Sequence, residues 1–294
     1  MPHPLHHEIF CLISLLSGKV NTAMKYIRIT SPSNPHIRDL LSSLRKRPGK
    51  EERLFLIEGV HLLEMALSSG ADIREIFFTD LFRNKPESNR LFELFRSDDK
   101  DIKYVEVTGR ILGRLTETET PQGIAALISG KSLQVSDLAS GNNPFIIVLD
   151  KIQDPGNLGT IIRTSDAASA DAVIILPGTC DVYMQKTIRS TAGSIFNIPV
   201  VQTRLEELVP FLRAKGITIA VASADAEISV FDAGLDMPVA LVFGNEAHGI
   251  SSEVRAIADI RMKIPIFGRA ESLNVASSAA ICIYEAVRQR LLPR

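Results

Sequence analysis

The chain has 294 residues, which is enough for two domains with a core each. Hydrophobic residues make up 45% and charged residues 23% of the sequence, as in an ordinary globular protein, and the formal net charge is −1. The three cysteines, Cys11, Cys180 and Cys282, lie far apart, which excludes a disulfide framework and a Cys-x-x-Cys zinc site and is typical of a reducing compartment.

The chain begins with a segment whose only dense apolar run is IFCLISLL, residues 9–16. This run is too short to span a membrane, which takes about 20 residues. It also lacks the basic leader and the A-x-A cleavage site of a secretory signal. We therefore predict an N-terminal extension over residues 1–24, with Met24 as an alternative start.

Residues 25–130 are predicted to form a small α/β domain. The stretch RLFLIEGVHLLEMALSSGADIREIFFTD has the pattern of a strand, a helix that ends at Gly70, and a second strand. A helix over 87–96 and two strands, KYVEV and QGIAALI, are predicted to follow. The polar segment 131–144 ends in Gly-Asn-Asn-Pro and is predicted to be a linker.

Positive charge is concentrated in residues 25–53, which carry eight basic and three acidic side chains and a net charge of +5. Such a run is typical of a solvated helix face, but it also suits a surface that contacts a phosphate backbone. Composition alone leaves both interpretations open. The candidate phosphate contacts are Arg38, Arg45, Lys46, Arg47 and Arg53.

Residues 145–294 alternate short apolar runs with helical patterns. Strands are predicted at 145–149, 172–176, 217–222, 239–243 and 261–264, and helices near 157–169, 183–194, 204–215, 251–258 and 274–291. Continuous apolar strands that alternate with helices indicate a parallel sheet covered on both faces. Ligands of such sheets bind beyond the carboxyl ends of the strands, so we expect a site in the loops there.

The first of these loops lies in LDKIQDPGNLGTIIRTSDA, residues 149–167. Its glycines are typical of a phosphate-binding loop, but no Lys-Ser or Lys-Thr follows them and no G-x-G-x-x-G occurs, which disfavours a nucleotide hydrolase. Asn157 is predicted to cap the helix, and Gly159 permits close approach of a backbone or a ligand. Arg163 lies one turn farther along a largely apolar helix.

Two further loops follow strands of the same domain. LVFGNEAHGISSEV contains Gly244 directly after a strand, then Glu246, and a histidine, His248, that we expect to be exposed. IPIFGRAESLNV leads into a helix of small residues, with Ser272 and Asn274 at the helix start, where such residues commonly cap. The three loops together contain no cysteine, no metal-ligand cluster and no Ser-His-Asp arrangement.

The combination of N-x-G-x-x-x-R, F-G-N-E-x-x-G and I-P followed by S-L-N-V resembles the SpoU (TrmH-type) RNA 2′-O-ribose methyltransferases of the SPOUT superfamily. The motifs occur in the family's order within residues 145–290. Residues 25–130, with FLIEGVHLLEMAL and TPQGIAAL, are similar to the ribosomal-protein-like substrate-binding domain that many members carry. One departure, Ala276-Ser277 where many relatives have serine and a small apolar residue, lies on the last helix.

The resemblance implies a mostly parallel C-terminal α/β sheet with a deep trefoil knot, a smaller N-terminal α/β domain, a homodimer and S-adenosylmethionine as cofactor. Cofactor contacts, mainly through backbone groups, are implied for Gly244, Ile264, Leu273, Ala222 and Ser223. Catalytic roles are implied for Arg163, Asn157, Glu246, Ser272 and Asn274. No metal is implied, which agrees with methyl transfer from a sulfonium to a hydroxyl, a displacement that depends on correct placement of the two reactants.

The added N-terminal domain favours ribosomal RNA over transfer RNA as the substrate, and the basic segment 25–53 is then better interpreted as an RNA contact. Two alternatives remain, the same chemistry on transfer RNA and an RNA-binding ribosome assembly factor without catalysis. The second is disfavoured by the presence of Arg163, Asn157, Glu246 and Ser272. We expect a cytoplasmic enzyme that uses neither a membrane nor a metal.

Overall fold

The computed structural model describes residues 10–12, 25–45, 53–97, 102–130, 132–138 and 141–291 of the chain. The chain divides into two compact units between Lys131 and Ser132. No helix in the described ranges is long and apolar enough to cross a membrane.

The N-terminal unit is built on a mixed sheet. Its described strands are β1 (Phe10–Leu12), β2 (Lys25–Ile29), β3 (Arg53–Glu58), β4 (Asp72–Phe78), β5 (Lys103–Val107) and β6 (Ile124–Gly130). Its described helices are α1 (Pro35–Arg45), α2 (Val60–Ser68), α3 (Asp80–Arg83), α4 (Pro86–Ser97) and α5 (Gly109–Thr116). The predicted strand-helix-strand stretch is confirmed by β3, α2 and β4, and the helix predicted over 87–96 is confirmed by α4.

The strands of this sheet follow the order β1-β2-β5-β4-β6-β3. Strands β2, β5 and β4 are parallel neighbours, while β6 runs antiparallel to β4 and β3. The carboxyl ends of β2, β5 and β4 therefore lie at one edge, where each is followed by a threonine: Thr30, Thr108 and Thr79. Thr108 and Thr79 cap α5 and α3 by accepting hydrogen bonds from backbone N–H groups of those helices.

Apolar side chains pack on this sheet in two groups. Ile37 of α1 and Ile111 of α5 join Phe77 and Val105 in one buried cluster. A second group consists of rings around Phe92 of α4, at centroid separations of 5.2 to 6.3 Å, and contains Phe78, Phe82 and Tyr104. The N-terminal unit therefore has a core of its own.

The C-terminal unit is built on a parallel sheet. Its described strands are β7 (Phe145–Leu149), β8 (Ala172–Ile175), β9 (Val200–Gln202), β10 (Thr218–Ala222), β11 (Ile228–Ser229), β12 (Val239–Phe243) and β13 (Ile260–Lys263). Its described helices are α6 (Pro155–Ala167), α7 (Gln185–Thr191), α8 (Leu205–Ala214), α9 (Ser252–Ile257) and α10 (Val275–Leu291). The strand order is β11-β13-β10-β12-β7-β8-β9, and every recorded pairing is parallel.

Both faces of this sheet are covered, as predicted. Along β7, Phe145, Ile147 and Leu149 belong to one buried cluster, while Ile146 and Val148 belong to another on the opposite face. Successive side chains of a strand point to opposite faces, so a continuous apolar run is what burial on both sides requires.

Two strands were outside the prediction, β9 and β11. Both are short and partly exposed, so they lack the continuous apolar run that identifies the other strands. The order of the sheet makes β13, β10, β12, β7 and β8 consecutive neighbours, and their carboxyl ends bring the motif-bearing loops to one edge. The trefoil knot stays a prediction.

The segment predicted as a linker contributes to the C-terminal core. Residues 132–138 include a 3₁₀ turn at Val135–Asp137. Leu133, Val135 and Leu138 pack against the buried cluster that contains Ile146 and Val148.

Candidate functional site

Glu246 lies at the centre of a hydrogen-bonded group that joins the three motif-bearing loops. Its Oε1 accepts from Asn157 Nδ2 at 3.0 Å and from the backbone N–H of Asp154 at 3.1 Å, and its Oε2 accepts from the backbone N–H of Gln153 at 3.1 Å. Asn274 Nδ2 donates to Asn157 Oδ1 at 3.0 Å. The chain Asn274–Asn157–Glu246 thus links the third loop to the first and the first to the second.

These contacts also fix the ionisation of Glu246. Partial burial by itself raises the pKa of its carboxyl, but the hydrogen bonds from Asn157 and from the backbone of Gln153 and Asp154 outweigh burial and lower the pKa below its ordinary value. Glu246 is therefore a carboxylate at neutral pH, with its oxygens already engaged by the protein.

The start of α6 corrects one prediction. Asp154, and not Asn157, is the N-cap, because the Asp154 carboxylate accepts the backbone N–H of Asn157 at 2.9 Å and Pro155 is the first helical residue. Asp154 also pairs with Lys186 Nζ at 2.9 Å, and this contact, with the capping bond, lowers the pKa of the Asp154 carboxyl. Since Asn157 does not cap, its side-chain amide faces Glu246 and Asn274.

The second loop is a tight turn that begins at Gly244. A Cβ at Gly244 would overlap the backbone of Gly249, so only glycine permits the chain to fold back here. Asn245 stabilises the turn, since its Oδ1 accepts the backbone N–H groups of Ala247 and His248 at 2.9 Å. His248 is exposed, as predicted, and its side chain faces solvent at the end of the turn.

The third loop ends at α10, where Asn274 is the cap. Its Oδ1 accepts the backbone N–H groups of Ala276 at 2.9 Å and Ser277 at 3.3 Å, while its amide nitrogen donates to Asn157. Asn274 therefore combines the predicted capping role with a link to the first loop. Ser272 is exposed, and Leu273 is 39% exposed.

The remaining residues implied as cofactor contacts follow neighbouring strands. Ala222 ends β10 and Ile264 follows β13, and both pack partly buried against the core. Ser223 is fixed by a backbone hydrogen bond to Met262 at 2.8 Å and by a side-chain bond to Asp225. Asp225 in turn pairs with Arg255 of α9 at 2.6 Å.

This trio, Ser223–Asp225–Arg255, ties the loop after β10 to the helix after the second motif. The hydrogen bond from Ser223 and the contact with Arg255 lower the pKa of the Asp225 carboxyl to about 2, so the pair is ionised at neutral pH.

Arg163 lies on α6 beyond Asn157, exposed to solvent and without an ion pair in the described part of the chain. Gly159 lies between them. A Cβ there would come within 2.5 Å of Ser190 Cβ and 2.6 Å of the carbonyl oxygen of Thr187. The close packing of α6 on α7 therefore requires glycine at this position and sets the direction of the helix that carries Arg163 and Asn157.

The structure brings together some of the residues implied as a site and leaves others apart. Asn157, Glu246 and Asn274 are hydrogen-bonded, whereas no hydrogen bond within the described residues joins Ser272 or Arg163 to them. Nor do those residues contain a group of His, Cys, Asp or Glu side chains that could hold a metal ion.

Three of the five candidate RNA contacts of the N-terminal unit lie in the described residues. Arg38 is exposed in the first turns of α1, Arg45 ends that helix, and Arg53 is half-buried at the start of β3. Lys46 and Arg47 lie outside the described residues.

Sequence reasoning missed the contributions of Gln153, Asp154 and Lys186. The Asp154-Pro155 pair carries a usable signal, because aspartate is a preferred N-cap and proline is favoured at the first helical position. The backbone donors that hold Glu246 and the Lys186–Asp154 pair depend on contacts between distant segments, for which one sequence offers no signal.

Family models match both units of the chain. The SpoU rRNA Methylase family matches residues 144–284, and the MRM3-like substrate binding domain matches residues 34–126. The chain is 35% identical over 257 residues to the 23S rRNA (guanosine(2553)-2′-O)-methyltransferase RlmP of Bacillus subtilis, a match that covers 87% of this chain and 98% of RlmP. The chain belongs to the SpoU rRNA methylase family.

Other SpoU relatives match over a similar length. The 23S rRNA (uridine(2479)-2′-O)-methyltransferase of Streptomyces viridochromogenes is 30% identical over 262 residues, which cover 87% of this chain and 89% of that protein. The AdoMet-bound rRNA methyltransferase of Sinorhizobium meliloti has a TM-score of 0.79 and 30% identity, and the match covers 90% of this chain and 98% of that one. The resemblance to SpoU methyltransferases that the motifs predicted is confirmed.

Proposed function

We propose that this protein is an S-adenosylmethionine-dependent methyltransferase that modifies the 2′-hydroxyl of a ribose in ribosomal RNA. The observation that carries the proposal is the hydrogen-bonded chain Asn274–Asn157–Glu246, which joins the three SpoU motifs. The names of the relatives support it, since RlmP and the Streptomyces protein are 23S rRNA 2′-O-methyltransferases and the Sinorhizobium structure holds AdoMet. These relatives modify guanosine and uridine, so similarity to them does not select the nucleobase.

S-adenosylmethionine is proposed to bind at the carboxyl ends of β10, β12 and β13. The residues proposed to hold it are Ala222, Ser223, Gly244, Ile264 and Leu273. Their chemistry fits the cofactor, because the turn at Gly244 leaves no room for a side chain, so backbone groups line that position, and Leu273 offers a partly exposed apolar surface. When bound, S-adenosylmethionine supplies an electrophilic methyl group on a positively charged sulfur.

The proposed reaction is an in-line displacement in which the 2′-oxygen loses its proton as it bonds to the methyl carbon. Glu246 is not proposed as the base, because its two oxygens already accept three hydrogen bonds from the protein. Its role is to hold Asn157 and the start of α6. A guanidinium stays protonated in proteins, so Arg163 is proposed to bind the target phosphate and polarise the hydroxyl while water accepts the proton.

The N-terminal unit is proposed to hold the RNA, in agreement with its match to a substrate-binding domain. Arg38, Arg45 and Arg53, together with Lys46 and Arg47, are the proposed phosphate contacts. A homodimer and a cytoplasmic location complete the proposal. The dimer is implied by the SpoU resemblance, and the location by a ribosomal substrate and by cysteines that form no disulfide framework.

The deciding experiment incubates the purified protein with methyl-labelled S-adenosylmethionine and unmodified ribosomal RNA, and then digests the RNA with alkali. We expect a labelled dinucleotide that resists alkali, because a 2′-O-methyl group removes the nucleophile of that cleavage. A parallel reaction with unmodified transfer RNA serves as the comparison.

Label in transfer RNA alone would contradict the proposal that ribosomal RNA is the substrate, but it would agree with the proposed 2′-O-methylation. Cofactor binding measured by calorimetry, without label in either RNA, would contradict 2′-O-methylation of both. Neither binding nor label would favour the alternative of a ribosome assembly factor that binds RNA without catalysis.

A further inference from the structure

We propose that a cavity in the N-terminal unit, at the carboxyl ends of β2, β4 and β5, binds one unpaired nucleobase of the RNA substrate. This inference rests on the proposed function only in that the substrate is RNA. The cavity has a volume of about 170 Å³. The residues that line it and matter here are Arg28, Thr30, Asp80, Leu81, Glu106 and Thr108.

Arg28 is held in a fixed orientation at this cavity. Its Nε lies 3.0 Å from Glu106 Oε1, and the Glu106 side chain is only 4% exposed. Arg83 engages the other oxygen of Glu106 at 2.5 Å. The terminal nitrogens of Arg28 make no hydrogen bond within the described residues, and its side chain is 56% exposed. A buried carboxylate thus orients a guanidinium and leaves its outer edge available to a ligand.

The charge balance of the cavity selects a neutral ligand. The charged side chains that line the cavity are one guanidinium, Arg28, and two carboxylates, Asp80 and Glu106. Arg83, which is not part of the lining, contacts both acids. A site for a phosphate needs an excess of positive charge, which this balance does not provide. A nucleobase, in contrast, is a neutral ring with a polar edge and an apolar face.

The remaining side chains suit those two surfaces of a base. Leu81 of α3 is 81% exposed and lines the cavity, so it provides an apolar surface for the face of the ring. The polar edge of the base can form hydrogen bonds with the hydroxyl groups of Thr30 and Thr108 and with the outer edge of Arg28. Single-stranded loops of RNA present bases in this form, whereas a duplex hides them. The proposed occupant is therefore an extruded or unpaired base.

The test measures the binding of a fluorescein-labelled, single-stranded RNA of about 12 nucleotides of mixed sequence, and of its fully paired duplex, to the full-length protein. Leu81→Ala is the main variant, because so exposed a side chain contributes little to folding. We expect it to weaken single-strand binding about tenfold and to leave duplex binding unchanged. Arg28→Ala is expected to act in the same direction, and Leu94→Ala, at a partly exposed leucine away from the cavity, is the matched control.

The salt dependence of binding separates a base contact from a phosphate contact. Loss of a base contact leaves the slope of log affinity against log salt unchanged, whereas loss of one phosphate contact reduces the slope by about one. Wild-type affinity in Leu81→Ala, an effect of equal size on the duplex, or a reduced slope would each overturn the proposal.

Methyl transfer is measured separately on the same preparations. If Leu81→Ala weakens single-strand binding and no methyl transfer occurs, the proposed function fails and the base site stands. If methyl transfer to ribosomal RNA occurs and Leu81→Ala binds single strands like the wild type, the base site fails and the proposed function stands. If the wild-type protein binds neither RNA, the two fail together.

Discussion

At the scale of single residues, Glu246 shows how a carboxylate becomes a structural centre of a site. Its hydrogen bonds lower its pKa in the folded chain below the value in the unfolded chain. A carboxyl of this kind stabilises the fold fully above its unfolded pKa, about 4.3, and the contribution is lost as the pH falls through the lower folded value. The hydrogen-bonded chain Asn274–Asn157–Glu246 is therefore intact throughout the neutral range.

Glu246→Gln is predicted to lower the methylation rate about 10- to 100-fold. The amide that replaces one oxygen donates hydrogen bonds, so it opposes the donors from Asn157 and the backbone, and a hydrogen bond to a charged group contributes about 1.5–3 kcal/mol. The stability difference from the wild type is predicted to shrink as the pH falls below the unfolded pKa of about 4.3 and on through the lower folded value. Single-turnover methylation and chemical denaturation at several pH values measure the two effects.

Glu253→Gln on α9 is the matched control, because Glu253 is an exposed acid in the same unit whose side-chain partners, Ser251 and Ser252, are its neighbours in the chain. It is expected to methylate at the wild-type rate. A wild-type rate in Glu246→Gln would contradict the role assigned to the hydrogen-bonded chain.

Arg163→Lys distinguishes charge from geometry at the reacting hydroxyl. Lysine keeps the positive charge but not the planar fork of donors. We expect Arg163→Lys to retain part of the single-turnover rate and Arg163→Ala to lose nearly all of it. Equal, nearly complete loss in both variants would instead show that the fork geometry is essential.

At the scale of elements, the packing of α6 on α7 controls where Asn157 and Arg163 point. Gly159→Ala is predicted to destabilise the C-terminal unit by about 1–3 kcal/mol, because the new methyl group overlaps Ser190 and Thr187. The methylation rate is expected to fall as well, since α6 must shift. Gly109→Ala, at the first residue of α5 where nothing lies within 4 Å of an added Cβ, is the control and should not destabilise the protein. Equal stability of Gly159→Ala and the wild type would show that the packing of α6 on α7 does not require glycine at this position.

The trio Ser223–Asp225–Arg255 belongs to the same scale, because it ties one loop to the helix that follows another. Arg255→Ala is predicted to raise the KM for S-adenosylmethionine about threefold to fivefold without a matching fall in kcat. The cause is that Ser223, a proposed cofactor contact, loses the pair that fixes its loop. The pair is exposed, so the difference should shrink at high salt.

Arg213→Ala provides the comparison for this prediction. Arg213 forms an ion pair with Asp259 at 2.7 Å in the same unit, and the Arg213 side chain is 47% exposed. Its loss should leave the KM for the cofactor unchanged. A rise in the KM for S-adenosylmethionine in Arg213→Ala as large as that in Arg255→Ala would indicate that lost charge, and not the position of the Ser223 loop, causes the change.

The sequence predicted those strands of the fold whose side chains are buried on both faces of the sheet. Strand β7 is buried on both faces, so all five of its residues are apolar and the run is visible in the sequence. Strand β11 has two partly exposed residues and pairs only at an edge, so no comparable pattern marks it. The start of α6 was misplaced because Asn157 and Asp154 are both good caps, and Pro155 decides between them through its preference for the first helical position.

The candidate site was predictable in its residue types and not in its contacts. The motifs identify Asn157, Glu246 and Asn274, but their hydrogen bonds join segments about 90 to 117 positions apart, which depends on the order of strands in the sheet. The same limit applies to Arg28, whose partner Glu106 lies on a neighbouring strand. The sequence around Arg28 shows only that the residue is basic, whereas the structure shows that the buried Glu106 carboxylate orients its guanidinium.

At the scale of the whole molecule, the two units have separate cores and proposed tasks, RNA binding in one and methyl transfer in the other. The division between them matters for any experiment on an isolated unit. Residues 132–144 look like a linker in composition, yet Leu133, Val135 and Leu138 pack on the C-terminal core. In addition, the backbone carbonyls of Asn143 and Pro144 accept hydrogen bonds from Arg290 of α10.

A fragment of residues 132–294 is therefore predicted to fold and bind S-adenosylmethionine, while a fragment of residues 145–294 is predicted to be less stable by about 2–4 kcal/mol. The loss comes from three partly buried apolar side chains, each contributing about 1 kcal/mol, and from two acceptors of a half-buried guanidinium. Thermal unfolding with and without cofactor compares the two fragments, and RNA binding of both should fall well below that of the full chain. Equal melting temperatures of the two fragments would indicate that residues 132–144 are a linker. RNA affinity of the longer fragment equal to that of the full chain would instead place the RNA-binding surface on the C-terminal unit.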